Sequence, residues 1–406
     1  MRQRRVAVTG LGAICALGQN VAELWKALCD GRPGIGPIES VDVSGLRFQN
    51  GAEVRGYDPA CHFDPKSVDL LDRFAQFAVL AAREALRDSG AVWTPELRET
   101  TAVVCGSSVG GQNAQDAGFR ELYKLDRGRV HPLSIPRIMA NAGASHISME
   151  FGITGPVYTI STACSSANHA IGLAFRMVRN SEVEMAIAGG SEAPFSLGLL
   201  KAWEAMRVIA PDTCRPFSRD RRGMILGEGG AMLVLEPLEA ARARGARIHA
   251  EIAGFGMSSD AHHIAQPCVE GPARAMRAAL RDAGVHPQQV GYINAHGTGT
   301  PGNDSTETRA IHEVFGAHAH QLAVSSTKSM HGHALGAAGA LEAVATTLAL
   351  REGILPPTAN FTAPDPECNL DVIPNQARQA RVECAVSNSF AFGGLNAVLV
   401  FQAHGS

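Results

Sequence analysis

Aromatic residues are scarce in this chain, at 5% of 406 positions, and charged residues make up only 18%. With 45% hydrophobic residues, a chain so poor in charge carries enough apolar surface to fold and is not disordered. Neither sign of charge dominates. The formal net charge of −3 lacks the basic excess of a nucleic-acid binder. No uninterrupted apolar run approaches the ~18–20 residues a membrane helix needs. The nine cysteines never fall in a C-x-x-C spacing, and an odd, scattered set fits neither a disulfide framework nor a zinc knuckle. A reducing, cytoplasmic setting follows. The start, Met1 to Arg5 and then VAVTGLGAICALG, imitates a secretory leader. Gly10, Gly12, Gly18 and Gly31, and the want of a leucine-rich core, favour a strand and turn there instead.

Glycine is abundant, with 43 residues, and fits close backbone packing. At 406 residues the chain exceeds one compact core, so two domains or one large duplicated unit is expected. The apolar runs RRVAVTG, TAVVCGSS, EMAIAGG, AMLVLE, IHAEIAGF, VGYINAHG, LAVSSTK and AVLVF read as mostly buried strands. They alternate with amphipathic stretches such as 73–89 and 272–283, a pattern that predicts α/β architecture. Stretches 37–65 and 112–136 are less periodic and read as insertions or caps. A weak internal repeat runs in the same order through both halves. RRVAVTGLGAICALG resembles RIHAEIAGFGMSSDA, GGAMLVLE parallels GGLNAVLVF, and HAIG at His169 echoes HALG at His333. The boundary falls where a charged helix ends at Gly245, giving an N-terminal half 1–245 and a C-terminal half 246–406.

Three strand-to-helix turns carry the chemistry. In VYTISTACSSANHAIG, Cys164 follows a β-prone run and precedes a small-residue helix, whose unpaired N–H groups and dipole favour thiolate. Ala163, Ser165 and Ser166 leave room for a bulky acyl thioester. YINAHGTGTPGND sets His296 at a strand end. STKSMHGHALGAAGALE places Lys328, His331 and His333 across another such turn, with Glu342 further along. Open α/β sheets build sites at the C-terminal ends of strands, so one nucleophile and two imidazoles can converge. His331 and His333 form an H-x-H pair that zinc could use in a strand, but GAAGA breaks the strand register and no further ligands stand at strand ends. No metal is expected there. His262 and His263 read as structural. Neither Gly10-Leu-Gly12 nor GSSVGG completes a dinucleotide or phosphate fingerprint.

STACSSANHAIG, NAHGTGTPGND, KSMHGHALGAAGALE and NSFAFGGLNA together resemble the ordered signature blocks of β-ketoacyl-acyl-carrier-protein synthases of the I/II type. The resemblance covers nearly the whole chain. It implies a thiolase fold, a duplicated α/β unit in five αβαβα layers, assembled as a homodimer. It implies elongation of a carrier-bound acyl chain by two carbons from malonyl-carrier protein, without an organic cofactor. Residue by residue, it makes Cys164 the acyl acceptor and the N–H groups of Cys164 and Phe392 the oxyanion hole. His296 and His333 would donate to the malonyl thioester oxygen, with Lys328 and Glu342 holding them in register. Thr298 and Thr300 match positions that bind the pantetheine arm, and Phe392 matches a gating aromatic. Glu342, Asn294, Ser387 and Asn388 match a structural monovalent-cation site. The acyl carrier protein is acidic in this family, so a basic patch is expected, with Arg129 first and Lys66 and Arg207 as neighbours. Ala391 and Leu395 stand where many members carry Gly and Thr, which suggests a stiffer gating loop. His331 replaces what is often a small hydroxyl residue. KAWEAMRVIAPDTCRPFSRDRRGMILGEG is closer to nodulation-type and other specialised synthases. A non-catalytic partner subunit and a degradative thiolase are the rival readings. The first would lack Cys164, and the second would carry another cysteine near the C-terminus, which NSFAFGG does not.

Overall fold

The computed structural model describes residues 3–405. The strands of its main sheet are β1 (Val6–Cys15), β2 (Thr101–Gly106), β3 (Val157–Ile160), β4 (Met185–Glu192) and β5 (Gly229–Pro237), followed by β6 (Ala250–Ser259), β7 (Tyr292–Asn294), β8 (Ala323–Ser325), β9 (Cys384–Ala391) and β10 (Leu395–Gln402). They form one hydrogen-bonded ladder in the order β8-β7-β9-β10-β6-β1-β5-β4-β2-β3. The order β3-β2-β4-β5-β1 in the first half is therefore repeated as β8-β7-β9-β10-β6 in the second. The halves join where β1 and β6 pair antiparallel, from Val6 opposite Ile252 to Val8 opposite Ala250.

Helices complete the layers. The longest are α1 (Arg73–Ser89), α2 (Gln112–Tyr123), α3 (Ala142–Phe151), α4 (Ser166–Arg179), α5 (Leu197–Met206), α6 (Glu270–Ala283), α7 (Pro301–Phe315) and α8 (Ala338–Glu352). On one outside face α1 packs on β1 and β5 and against α3. On the other, α6 packs on β6 and β10 and against α7. Between them α4 and α8 touch each other and strands of both halves. This is the expected five-layer thiolase arrangement. From Ala338 to Leu350 every residue of α8 is buried. A helix buried along nearly its whole length must be covered all round, and its alanines allow strands of both halves to approach it.

Strand β1 shows how sequence alternation sets these layers. Val6, Val8, Leu11, Ala13 and Cys15 face the central core, whereas Ile14 joins the outer one. The inward set passes from even to odd numbers between Val8 and Leu11, where the pairing with β5 slips. A bulge moves every later side chain to the opposite face.

The sequence echoes fare differently. The first two pair β1 with β6 and β5 with β10, equivalent strands of the two halves. The third does not mark equivalent places, because His169 lies within α4 while His333 precedes α8. Two regular elements lie where periodicity is weak: α2, inside a stretch read as a cap, and β9.

Candidate active site

Cys164 sits between the end of β3 and the first turn of α4, and is only 6% exposed. Ala163 before it adopts φ +52°, the left-handed region that non-glycine residues seldom occupy. Ser165 and Ser166 hydroxyls bond to the carbonyls of Thr162 (2.9 Å) and Ala163 (2.6 Å) and brace this bend. Burial pushes the Cys164 thiol from its ordinary value near 9 up to about 12, opposed by the charge of Lys328 and by the Phe392 backbone N–H. This corrects the expectation that the helix N-terminus favours thiolate at rest. A helix terminus contributes ~0.3–1 kcal/mol, ~2 at best, while a rise of that size in thiol pKa corresponds to ~4 kcal/mol. Burial wins, and the resting group is the neutral thiol.

His296 follows β7. Its backbone N–H and that of Gly297 donate to the buried Glu307 carboxylate at 2.9 and 2.8 Å. Lys328 Nζ stands 3.3 Å from His296 Nδ1 and also pairs with Glu342, both side chains being fully buried. An ammonium can only donate, so His296 Nδ1 accepts and its proton resides on Nε2. His333 lies edge-to-face on His296, the ring centroids 5.5 Å apart. Burial first, then the charge of Lys328, holds both imidazoles well below their ordinary value, so both are neutral. Burial raises the Glu342 carboxyl, and Lys328 opposes it.

One cavity of about 250 Å³ is lined by Cys164, His296, His333, Thr298, Thr300 and Phe392. The Thr298 and Thr300 hydroxyls are 2.9 Å apart. Phe392 begins the Phe392-Gly393-Gly394 turn between β9 and β10, in which the glycines take φ +81° and +68°. A Cβ on Gly394 would come within 2.4 Å of the Asp260 Cβ, so glycine is required there. Ala391 and Leu395 are opposite each other at the base of this turn. Any stiffening they bring falls on its flanks, outside the glycine hinge.

His331 faces away from this chemistry. Its Nδ1 bonds to the Gly332 carbonyl at 2.8 Å and its Nε2 to the Thr327 hydroxyl at 3.0 Å. Both nitrogens are thus taken, and no group of three or more metal-type ligands occurs among the described residues.

The four residues matched to a cation site carry unpaired buried oxygens. Asn294 Oδ1, Ser387 Oγ, Asn388 Oδ1 and Glu342 Oε2 all lack hydrogen-bond partners. Ser387 lies directly opposite Asn294 in the parallel β7–β9 pairing. Asn388, the next residue, points to the other face of the strand, where its amide donates to Glu307 at 3.1 Å. Its side chain therefore stands apart from that of Ser387.

The basic residues are not all brought to the cavity. Arg207, exposed at the C-terminal cap of α5, adjoins the cavity-lining Val208. Arg129 lines a separate cleft between α2 and the short helix Ser134–Ile138. A 2.9 Å His131–Asp69 contact ties its loop to the helix Pro65–Leu70, which carries Lys66. None of the three cations has an ion-pair partner among the described residues.

Sequence reasoning missed two contributors. Asp260, His263 and Ile264 belong to a loop after β6 that walls the cavity, and no local pattern marks it. Glu307 was within reach. Asp304, Glu307, Thr308 and Ile311 form one buried stripe of α7 at helical spacing, and acids on an inward stripe seldom lack a task.

Comparison with known proteins agrees with this geometry. The chain matches the Beta-ketoacyl synthase N-terminal domain over residues 3–241 and the C-terminal domain over residues 249–362. It belongs to the β-ketoacyl synthase family. Nodulation protein E of Rhizobium sp. (strain N33) is 50% identical to this synthase, covering 98% of it and 99% of that protein. 3-oxoacyl-[acyl-carrier-protein] synthase 2 of Coxiella burnetii is 44% identical over 99% of both chains. Among solved structures, the ishigamide ketosynthase/chain length factor superposes with a TM-score of 0.95 at 38% identity, covering 99% of this chain and 100% of that one. This synthase is accordingly an acyltransferase of the 3-oxoacyl-[acyl-carrier-protein] synthase type.

Proposed function

We propose that Cys164 carries the acyl chain and that His296 and His333 drive decarboxylation. The observation that supports this most is the convergence of all three on one cavity. In the first half-reaction the Cys164 sulfur attacks the carrier thioester, a neutral imidazole takes its proton, and the carrier thiol leaves with a proton. The N–H groups of Cys164 and Phe392 hold the oxyanion. In the second, the imidazole N–H groups hold the malonyl thioester oxygen as the C–C bond to carbon dioxide breaks. The resulting enolate attacks the acyl–Cys164 carbonyl and expels the sulfur. Thr298 and Thr300 hold the pantetheine arm. No organic cofactor takes part, and Asn294, Ser387 and Glu342 hold a monovalent cation as a structural element. Incubation with a panel of acyl-carrier proteins tests the assignment by the mass added to Cys164. Label on another cysteine would overturn it. The relatives point to bulk fatty-acid elongation and to a specialised nodulation-type chain alike, and the same panel separates them by chain preference.

The acyl carrier protein is the proposed partner, supported by the name of the Coxiella relative. Carrier proteins of this family are acidic, and Arg207 is now the first docking candidate because it adjoins the cavity wall. Arg207→Glu is expected to raise KM for carrier-bound substrate at least fivefold, an effect that added salt should mimic. Turnover of a short pantetheine analogue should be unchanged. Arg129→Glu and Lys66→Glu test whether the footprint extends across the second cleft. Equal losses on both substrates would make Arg207 structural.

The chain is proposed to act as a homodimer in the cytoplasm. All nine cysteines are free, as a reducing compartment keeps them. No helix among the described residues is long and apolar enough to cross a membrane. The ladder ends at β3, an edge from which Tyr158 projects 52% exposed. Edges of this kind invite pairing. Met149 of α3, Ile135, and Phe119 and Tyr123 of α2 extend the same exposed apolar surface, their elements being in contact one after another. Sedimentation at micromolar concentration should give twice the chain mass of 42.7 kDa, and Tyr158→Asp should give monomer. A parent protein that sediments as monomer removes the dimer.

A further inference from the structure

The Phe392 ring stacks on Trp203 of α5, with centroids 6.2 Å apart and planes 27° from parallel. Trp203 is itself set in a cluster with Phe195, Leu200 and Met224, and Met224 also lines the Cys164 cavity. Its indole Nε1 is buried without a hydrogen-bond partner, so packing alone orients the ring. Phe392 meanwhile stands beside two glycines in the left-handed region, a backbone that resists rotation little. Its own N–H acts on the Cys164 sulfur.

We propose that Trp203 is a positioning residue that fixes Phe392 by its stack and so keeps the Phe392 N–H aimed at the acyl-transfer centre. The inference rests on the assignment of Phe392 N–H to the oxyanion hole. A free Phe392 ring lets the glycine turn swing and takes this donor out of line. Transfer of the acyl group to Cys164 then suffers, because it uses the donor. Decarboxylation does not, because the imidazoles of His296 and His333 serve it.

The two half-reactions provide the test. Acyl loading of Cys164 is followed by intact mass, and malonyl-carrier decarboxylation by carbon dioxide release, on preparations with matched melting temperatures. Trp203→Leu, which fills most of the space without a ring, should slow loading about tenfold, a fraction of the loss from deleting an oxyanion donor outright. Decarboxylation should stay within twofold. Trp203→Phe keeps a ring for the stack and should restore loading to near the parent rate. In a Phe392→Ala background, Trp203→Leu should add less than twofold, because the partner through which it acts is gone. Equal slowing of both half-reactions, or effects that multiply in the double variant, would overturn the proposal. Failure of the parent itself to load Cys164 would instead sink the assignment of the nucleophile.

Discussion

Condensation by Cys164→Ser is expected to fall at least ~10³-fold, with no acyl-enzyme detectable. The reason is the setting of the thiol. Burial that raises it to about 12 would raise a hydroxyl, weaker still as an acid, beyond the reach of a neutral imidazole. Sulfur tolerates the setting because deprotonation can accompany attack once the carrier thioester fills the cavity and the Phe392 N–H and Lys328 charge are in place. Steady-state condensation on carrier-bound substrates measures the loss, and retention of more than a few per cent of parent activity defeats the assignment. A companion result concerns pH. Lowering of a thiol by a helix dipole alone would make alkylation by iodoacetamide level off near neutrality. A thiol held up by burial leaves roughly one part in ten thousand as thiolate at pH 8, so labelling of Cys164 should climb about tenfold per pH unit through pH 10.

That contrast shows what a sequence carries and what it does not. Cys164, His296 and His333 were legible because each lies at a strand-to-helix junction, β3 to α4, β7 to α7 and β8 to α8, although β3 runs opposite to β7 and β8 and only the packing of the two halves brings the three to one cavity. The state of the thiol was not, since helix polarity is local while burial depends on β9, α8 and the Phe392 turn packing over it. Strand β9 escaped the apolar-run criterion because Ser387, Asn388 and Ser389 are buried and polar where a core strand usually carries Val or Ile. Helix α2 escaped for the opposite reason. None of its residues is buried, so it writes no apolar stripe into the sequence. The loop holding Asp260 and His263 reaches the cavity only because β6 and β10 pair along their full length, from Ser259 opposite Leu395 to Glu251 opposite Gln402. Lys328 is visible as a residue of the third turn, yet its total burial and its pairing with Glu342 depend on α8 being enclosed. A buried ion pair broken on one side costs ~3–5 kcal/mol, so Lys328→Ala would confound chemistry with folding and is a poor probe.

His296→Ala and His333→Ala are better probes, because neither removes a member of that ion pair. Each is expected to slow malonyl decarboxylation ~10²–10³-fold, the range for loss of one aligned donor at a developing oxyanion. Loading of Cys164 should fall tenfold at most, because the remaining imidazole or water can still accept the thiol proton. The direction of the pH profile follows from the lowered imidazole pKa values. The neutral form of both imidazoles persists as acid is added, until pH passes below a value well under 6.5. Parent decarboxylation should therefore stay flat from pH 8 through 6.5 and decline only in more acidic buffer, where protonation also sets a second positive charge beside Lys328. An ordinary exposed imidazole would already have lost half its neutral form at ~6.5. Single-turnover carbon dioxide release and Cys164 mass, taken on the same samples, separate the two half-reactions. Loss of loading with normal decarboxylation would reverse the roles assigned here, and an acid limb centred at 6.5 or above would mean that the imidazoles do not work from the buried, lysine-flanked pair in which they stand.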